Sequence, residues 1–227
     1  MTNTINLLNG IEALYPENNA VAQIKRTLQK FPETEDTLVD AYSLGQIKSK
    51  LWLIENLPNE LGTVFICGGW YGTLASLMFE RCREKFDTIR SFDLDPSCAP
   101  VADNINKPHV MDGWQFKAST MDIHDMEYPC FYTTFRADGT SVSITEMPDT
   151  IINTSCEHIE NFSEWFDKIP KGKLICLQSN DYVALEEHVN CVKDNLHFAE
   201  IAPLSKVLFT GSLSLTKYNR YMRIGYK

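Results

Sequence analysis

The apolar run Val64, Phe65, Ile66 and Cys67 leads into Gly68, Gly69, Trp70, Tyr71 and Gly72, and a helical pattern begins near Thr73. Glycines between a strand and a helix let backbone approach a ligand closely and can aim free N–H groups at its polar end. The next apolar run ends in Ser91, Phe92, Asp93, Leu94, Asp95 and Pro96. An acid at that place, about twenty residues after the glycines, can accept hydrogen bonds from both ribose hydroxyls of a nucleoside. Each signal alone has a plain explanation, a tight turn for the glycines and a helix N-cap for Asp93, with Asp95 as the alternative carboxylate. Together they point to a nucleoside crevice more strongly than either does alone.

Further polar residues stand at the ends of later apolar runs. Met121 and Asp122 follow the third, and Asn153, Thr154, Ser155, Cys156, Glu157 and His158 follow the fourth. Asp181 and Tyr182 follow the fifth. Glu157, His158, Asp181 and Tyr182 are candidate bases, because parallel strand ends open on one crevice. The segment from Asp122 to Asp125 holds two acids and one histidine, which reads as a solvated loop, and no metal site is expected. No Gly-x-Gly-x-x-Gly spacing supports NAD.

These residues need strands and helices in alternation to bring them together. Strands are expected at 63–67, 88–94, 114–118, 150–153 and 173–178, with helices at 73–86, 100–106, 161–169 and 182–196. Strand, helix, strand in this rhythm implies parallel pairing with right-handed crossovers. Residues 206–215 and 218–226 read as an antiparallel pair at the end of the sheet. Residues 127–149 read as an inserted hairpin turning at Ala137, Asp138 and Gly139. The fold expected is a doubly wound α/β sheet of seven mostly parallel strands with an antiparallel C-terminal strand. Residues 1–60 form a helical extension, with a third helix over 36–57, and residues 61–227 form the Rossmann-like domain.

The glycine run, Asp93, Asp122 and the stretch 149–159 together resemble the class I S-adenosylmethionine-dependent methyltransferases. The likeness covers about residues 60 to 200. It implies Gly68, Gly69, Trp70, Tyr71 and Gly72 beneath the methionine portion of S-adenosylmethionine, Asp93 at its ribose, and Met121 and Asp122 at its adenine. Asn153 and Ser155 would lie beside the transferable methyl group, with His158, Glu157 and Asp181 as catalytic candidates. Ile66 stands where the family has an acid and Trp70 where it has the middle glycine, so the methionine amino group needs another partner, such as Gln46. The nucleobase amino methyltransferases place two prolines and an aromatic after the fourth strand, and the cytosine-C5 enzymes a Pro-Cys pair; Asn153 to Cys156 matches neither. The metal-dependent catechol type needs carboxylates that only Asn180 and Asp181 come near. The glycine run is also similar to that of the polyamine aminopropyl transferases, whose catalytic Asp is replaced here by Asn153 and Thr154. A non-catalytic nucleoside-binding subunit is the third reading.

Composition bounds the partners. The chain has 227 residues, 44% hydrophobic and 22% charged, which is ordinary for an ordered globular protein. A net charge of -9 disfavours nonspecific nucleic-acid binding. A local RNA contact would need Lys206, Lys217, Arg220, Arg223 and Lys227 gathered on one face; a small molecule or peptide is the expected acceptor. Seven cysteines without a Cys-x-x-Cys pair read as free thiols, and no leader or membrane-length apolar run is evident. The cytoplasm is the expected compartment, and the oligomeric state is open.

Overall fold

The structure, a computed structural model, describes residues 2–136 and 138–227. Ala137 of the expected hairpin turn lies outside the described residues. Four helices come first: α1 (Asn3–Leu14), α2 (Asn19–Lys30), α3 (Glu35–Ala41) and α4 (Leu44–Asn56). Thr2 and Asn18 cap α1 and α2 by accepting from the backbone N–H three residues on. The single helix expected over 36–57 is two. The break falls at Tyr42 and Ser43, where the Ser43 N–H turns to the Asp40 carbonyl and Ser43 itself is extended. The apolar stripe continues through this break, which is why periodicity concealed it.

The alternating part follows as β1 (Gly62–Cys67), α5 (Thr73–Arg81), β2 (Phe86–Asp93), α6 (Cys98–Ile105), α7 (Lys107–Met111) and β3 (Phe116–Thr120). The hairpin is β4 (Cys130–Phe135) and β5 (Ser141–Glu146), after which come β6 (Thr150–Asn153), α8 (Phe162–Lys168) and β7 (Leu174–Asn180). The chain closes its sheet with α9 (Asn195–Ile201), β8 (Lys206–Ser214) and β9 (Asn219–Tyr226). The third strand begins two residues later than expected, because Trp114 sits at φ 57 with its N–H on the Val110 carbonyl and cannot extend.

Seven strands form one sheet in the order β3-β2-β1-β6-β7-β9-β8. The first five are parallel, and β9 runs antiparallel between β7 and β8. Strand order reverses between β1 and β6, so a crevice opens there at the carboxyl ends of the parallel strands. Both sheet faces are covered, as the continuous apolar runs require. Val64, Ile66, Ile89 and Phe116 meet α4, α5 and α6 on one face. Phe65, Phe92, Ile151 and Ile175 meet Trp165 and Phe166 of α8 and Phe198 of α9 on the other. A bidentate pair from Arg90 to Glu146, at 2.8 and 2.9 Å, fastens the hairpin to β2, and the Tyr132 hydroxyl donates to the same carboxylate at 2.7 Å.

The helix expected over 182–196 is not formed. Asn180 draws the Tyr182 N–H to its side-chain oxygen and the Val192 N–H to its carbonyl, and the Asn190 N–H goes to the Glu157 carbonyl. With these amides committed elsewhere, the segment is a loop, and the helix begins only at Asn195 behind its Asp194 cap. Arg220 and Arg223, named for a basic face, are 3% and 6% exposed and so do not join one. No described helix is long and apolar enough to cross a membrane.

Candidate functional site

A cleft of about 1160 Å³ lies where the strand order reverses, bounded by the loops after β1, β2, β3, β6 and β7. Its lining includes Gly68, Gly69 and Trp70 after β1, Asp93 at the end of β2, Met121 and Asp122 after β3, and Ser155, Glu157 and His158 after β6. This volume is ample for a nucleoside carrying an amino-acid tail, since small-molecule sites run to about 1,000 Å³.

The glycine loop is built differently from the anion cradle that free amides would make. The Gly68 and Gly69 N–H groups both donate to the Phe92 carbonyl at 2.9 Å, and the Gly72 N–H donates to the Gly69 carbonyl. The Trp70 N–H donates to Asp93 Oδ2 at 2.7 Å. The Gly68, Gly69 and Trp70 amides are therefore spent on joining the loop to β2 and the Gly72 amide on closing the loop itself, which disfavours phosphate there and leaves close backbone approach as the loop's contribution. Gly68, at φ 70, has only Asn153 Nδ2, 3.8 Å away, near the place of a Cβ, so its ligand face is bare. At Gly69 a Cβ would stand 2.0 Å from Ser91 Oγ. Asp93 Oδ1 accepts from the Asp95 N–H at 3.1 Å. Burial raises the Asp93 pKa while the two backbone donors oppose it. The Cys98 thiol is a third donor to this carboxylate, which with about four acceptor sites keeps one for a ribose hydroxyl.

No family model matches the chain, and no curated protein sequence does. Solved structures match by shape. The N-methyltransferase NodS from Bradyrhizobium japonicum WM9, in complex with S-adenosyl-L-homocysteine, superposes with TM-score 0.58 at 10% identity, over 88% of this chain and 98% of its own. The magnesium protoporphyrin IX methyltransferase ChlM from Synechocystis PCC 6803, with bound SAM, gives 0.51 at 15% identity, over 92% and 84%. The CurJ carbon methyltransferase gives 0.55 at 12% identity, over 98% and 71%. The chain has the class I methyltransferase fold.

Within the methyltransferase fold, four sequence candidates fall away from the cleft. Tyr71 is buried among Leu28, Leu38, Val101 and Ile105, and Trp70 stacks on it at 5.4 Å. Gly72, at φ 71, serves packing, since a Cβ would stand 2.7 Å from Asn106 Nδ2 and 3.1 Å from the Ala102 Cβ. Asn153 is fully buried, its Oδ1 accepting from the Ser155 N–H at 2.7 Å. Asp181 accepts from the Asn219 N–H and Nδ2, both at 2.8 Å, and so ties the end of β7 to the start of β9. Asp95, the alternative to Asp93, is exposed and accepts from the Ser97 N–H.

Gln46, which the sequence offered as a partner for the methionine amino group, lines the cleft, and it is completed by groups to which the sequence assigned no role there. Lys50 of α4 is 7% exposed and donates to Gln46 Oε1 at 2.6 Å, and both line the cleft. Burial, with Arg220 adding repulsion, pushes the Lys50 ammonium down to about 7. Arg220 of β9 is equally enclosed. Its Nη1 donates to Glu157 Oε1 at 2.6 Å and its Nε to Ser49 Oγ at 3.1 Å. Burial opposes the Arg220 charge, but the Glu157 carboxylate holds its pKa above the usual value. Gln178 of β7 exchanges hydrogen bonds with Ser49, so α4, β7 and β9 are joined beneath the cleft. His188 also lines it. A charged residue within an apolar strand pattern, as at Arg220, was the available sequence signal. Lys50 gave none, since a lysine on a surface helix is ordinary. Cys156 is fully buried with its thiol pKa raised by desolvation, so it is no nucleophile.

Proposed function

We propose that this protein is an S-adenosylmethionine-dependent methyltransferase acting on a small molecule or another acceptor. The observation that carries the reading is the junction of Trp70 and Asp93: one carboxylate fixes the glycine loop and faces the crevice at the point where strand order reverses. The structures it resembles in fold include NodS with S-adenosyl-L-homocysteine and ChlM with SAM. The residues present fit that cofactor. Gly68 offers a bare face, Asp93 retains acceptor capacity for ribose, Met121 and Asp122 flank the adenine end, and Lys50 with Gln46 stands ready for the methionine end.

When bound, the cofactor supplies an electrophilic methyl group on a sulfonium, and transfer is a direct displacement that depends on alignment and exclusion of water. The chain's own task is to orient. Asp93 holds the loop and the ribose together, and the Ser49, Gln178, Arg220 and Glu157 network makes the acceptor end rigid. His158 lies at that end with Nδ1 3.2 Å from the Glu187 carbonyl, so Nδ1 carries the hydrogen and Nε2 keeps a lone pair.

Calorimetry and thermal shift with S-adenosylmethionine, S-adenosylhomocysteine, decarboxylated S-adenosylmethionine and NAD test this. The first two are expected to bind and stabilise. Binding of the decarboxylated form alone would move the assignment to aminopropyl transfer, and failure of all adenosyl sulfur compounds to bind would end the proposal.

A further inference from the structure

We propose that Glu157, His158 and His188 form a divalent-cation site, one carboxylate and two imidazoles, at the acceptor end of the cleft. One ligand atom from each lies within 4.8 Å of the others, the one such group among the described residues. All three line the cleft. Glu157 and His158 are adjacent after β6, and His188 comes from the loop after β7, so two strand ends supply the set.

Two independent features point to a cation. Glu157 is 3% exposed, and its oxygens are used unequally. Oε1 accepts from both Arg220 Nη1 and Asn180 Nδ2, at 2.6 and 2.7 Å, whereas Oε2 is buried with no hydrogen-bond partner. A buried carboxylate oxygen without a partner is costly, and a bound cation removes that cost. The imidazoles are also oriented in advance. Nδ1 of His158 lies 3.2 Å from the Glu187 carbonyl and Nδ1 of His188 lies 2.6 Å from the Tyr182 carbonyl. A carbonyl only accepts, so each Nδ1 bears the hydrogen and each Nε2 is left as a lone-pair donor, the arrangement that backbone carbonyls impose on metal-bound histidines. The irregular path of the loop after β7 acquires a purpose here, since a helix would withdraw the Tyr182 carbonyl from that role.

The donor set selects the ion. Arg220 offsets the Glu157 charge, so little net negative charge remains to attract calcium or magnesium, and imidazole nitrogens favour zinc, cobalt, nickel or iron. Ligand bonds of about 2.0 to 2.1 Å place tetrahedral donors about 3.4 Å apart, so separations within 4.8 Å close by at most about 1.4 Å on binding. His158 is exposed and His188 half-buried, so neither ring is blocked by packing from turning about its Nδ1 hydrogen bond to make that movement. Three protein ligands leave a coordination position open. On the methyl-transfer reading, which this role rests on, that position takes an acceptor oxygen and eases loss of its proton.

The test strips the protein with a chelator and titrates it with cobalt(II), read by visible absorption, and with zinc(II), read by competition against the cobalt signal. One equivalent is expected. His158→Ala and His188→Ala should each weaken binding at least about tenfold, while His197→Ala, on α9, should not. S-adenosylhomocysteine calorimetry on the same samples separates this claim from the cofactor reading. Stoichiometric cobalt binding that follows His158 and His188 in a protein that fails to bind the nucleoside supports the metal site and sinks the methyltransferase. Absence of stoichiometric binding, or cobalt affinity unchanged in both histidine variants with melting temperatures intact, overturns the metal site.

Discussion

Replacing Asp93 by asparagine strikes the joint on which the cofactor reading turns. The wild-type carboxylate has about four acceptor sites. Trp70 and Asp95 N–H groups occupy two of them, at 2.7 and 3.1 Å, and the Cys98 thiol a third. In Asp93→Asn one oxygen becomes an NH₂ that faces either a backbone donor or a ribose hydroxyl, and the negative charge is lost. A hydrogen bond to a charged group contributes about 1.5 to 3 kcal/mol, so S-adenosylhomocysteine affinity should fall roughly 10- to 150-fold. Calorimetry should compare this ligand with its 2′,3′-dideoxy analogue in a double-mutant cycle. If Asp93 grips the ribose, the variant should discriminate little between the two, while the wild type strongly prefers the hydroxylated one. A coupling below about 0.5 kcal/mol in a protein with unchanged melting would refute the assignment. A melting temperature lowered alongside normal coupling would instead mean that the carboxylate's main service is to the loop.

Gly69→Ala should cost about 1 to 3 kcal/mol by overpacking, because its Cβ would stand 2.0 Å from Ser91 Oγ. Adding Ser91→Ala leaves a 3.3 Å contact to the Ser91 Cβ and should restore most of the stability in urea melts; no recovery would contradict the geometry. Arg220→Met strands the Glu157 carboxylate and should destabilise by about 3 to 5 kcal/mol, with Glu157→Gln in the same chain recovering much of it by denaturant midpoint. Lys50 faces Gln46, Arg220, Glu157 and Asp40 and releases its proton near 7, against 10.5 ordinarily. The unfolded chain holds that proton to higher pH, so stability of the ligand-free protein should rise with pH between these values. If Lys50 meets the methionine carboxylate only when charged, S-adenosylhomocysteine affinity should fall as pH rises through about 7. That fall should be absent for adenosine and in Lys50→Met; equal pH profiles in wild type and variant would exclude the contact.

The glycine-loop half of the cleft was legible in the sequence because its signals are local. A glycine run after a buried strand and an acid at the next strand's end lie within one strand-helix-strand unit, and the structure joins them through the Trp70 N–H. The half around Glu157 depends on contacts that composition and periodicity do not encode. Arg220 meets Ser49 across most of the chain, and Glu157 finds Asn180 from another strand end. The same long-range bonds explain the helix wrongly expected over 182–196, since helical spacing cannot show that amides there are already promised to Glu157 and Asn180. Tyr71 and Gly72 were drawn toward the ligand by adjacency alone; the turn at Trp70, at φ 48, sends them into the helical layer instead.

The place of β9 between β7 and β8 sets an order on assembly during synthesis. Because β8 touches the parallel strands only through its later neighbour, it has no edge to join while the ribosome is still short of residue 219. Until that stretch emerges, Glu157 lacks its guanidinium and α4 lacks the strand that clasps Ser49. A nascent chain therefore carries the glycine-loop side of the cleft before it owns the side closed by Arg220.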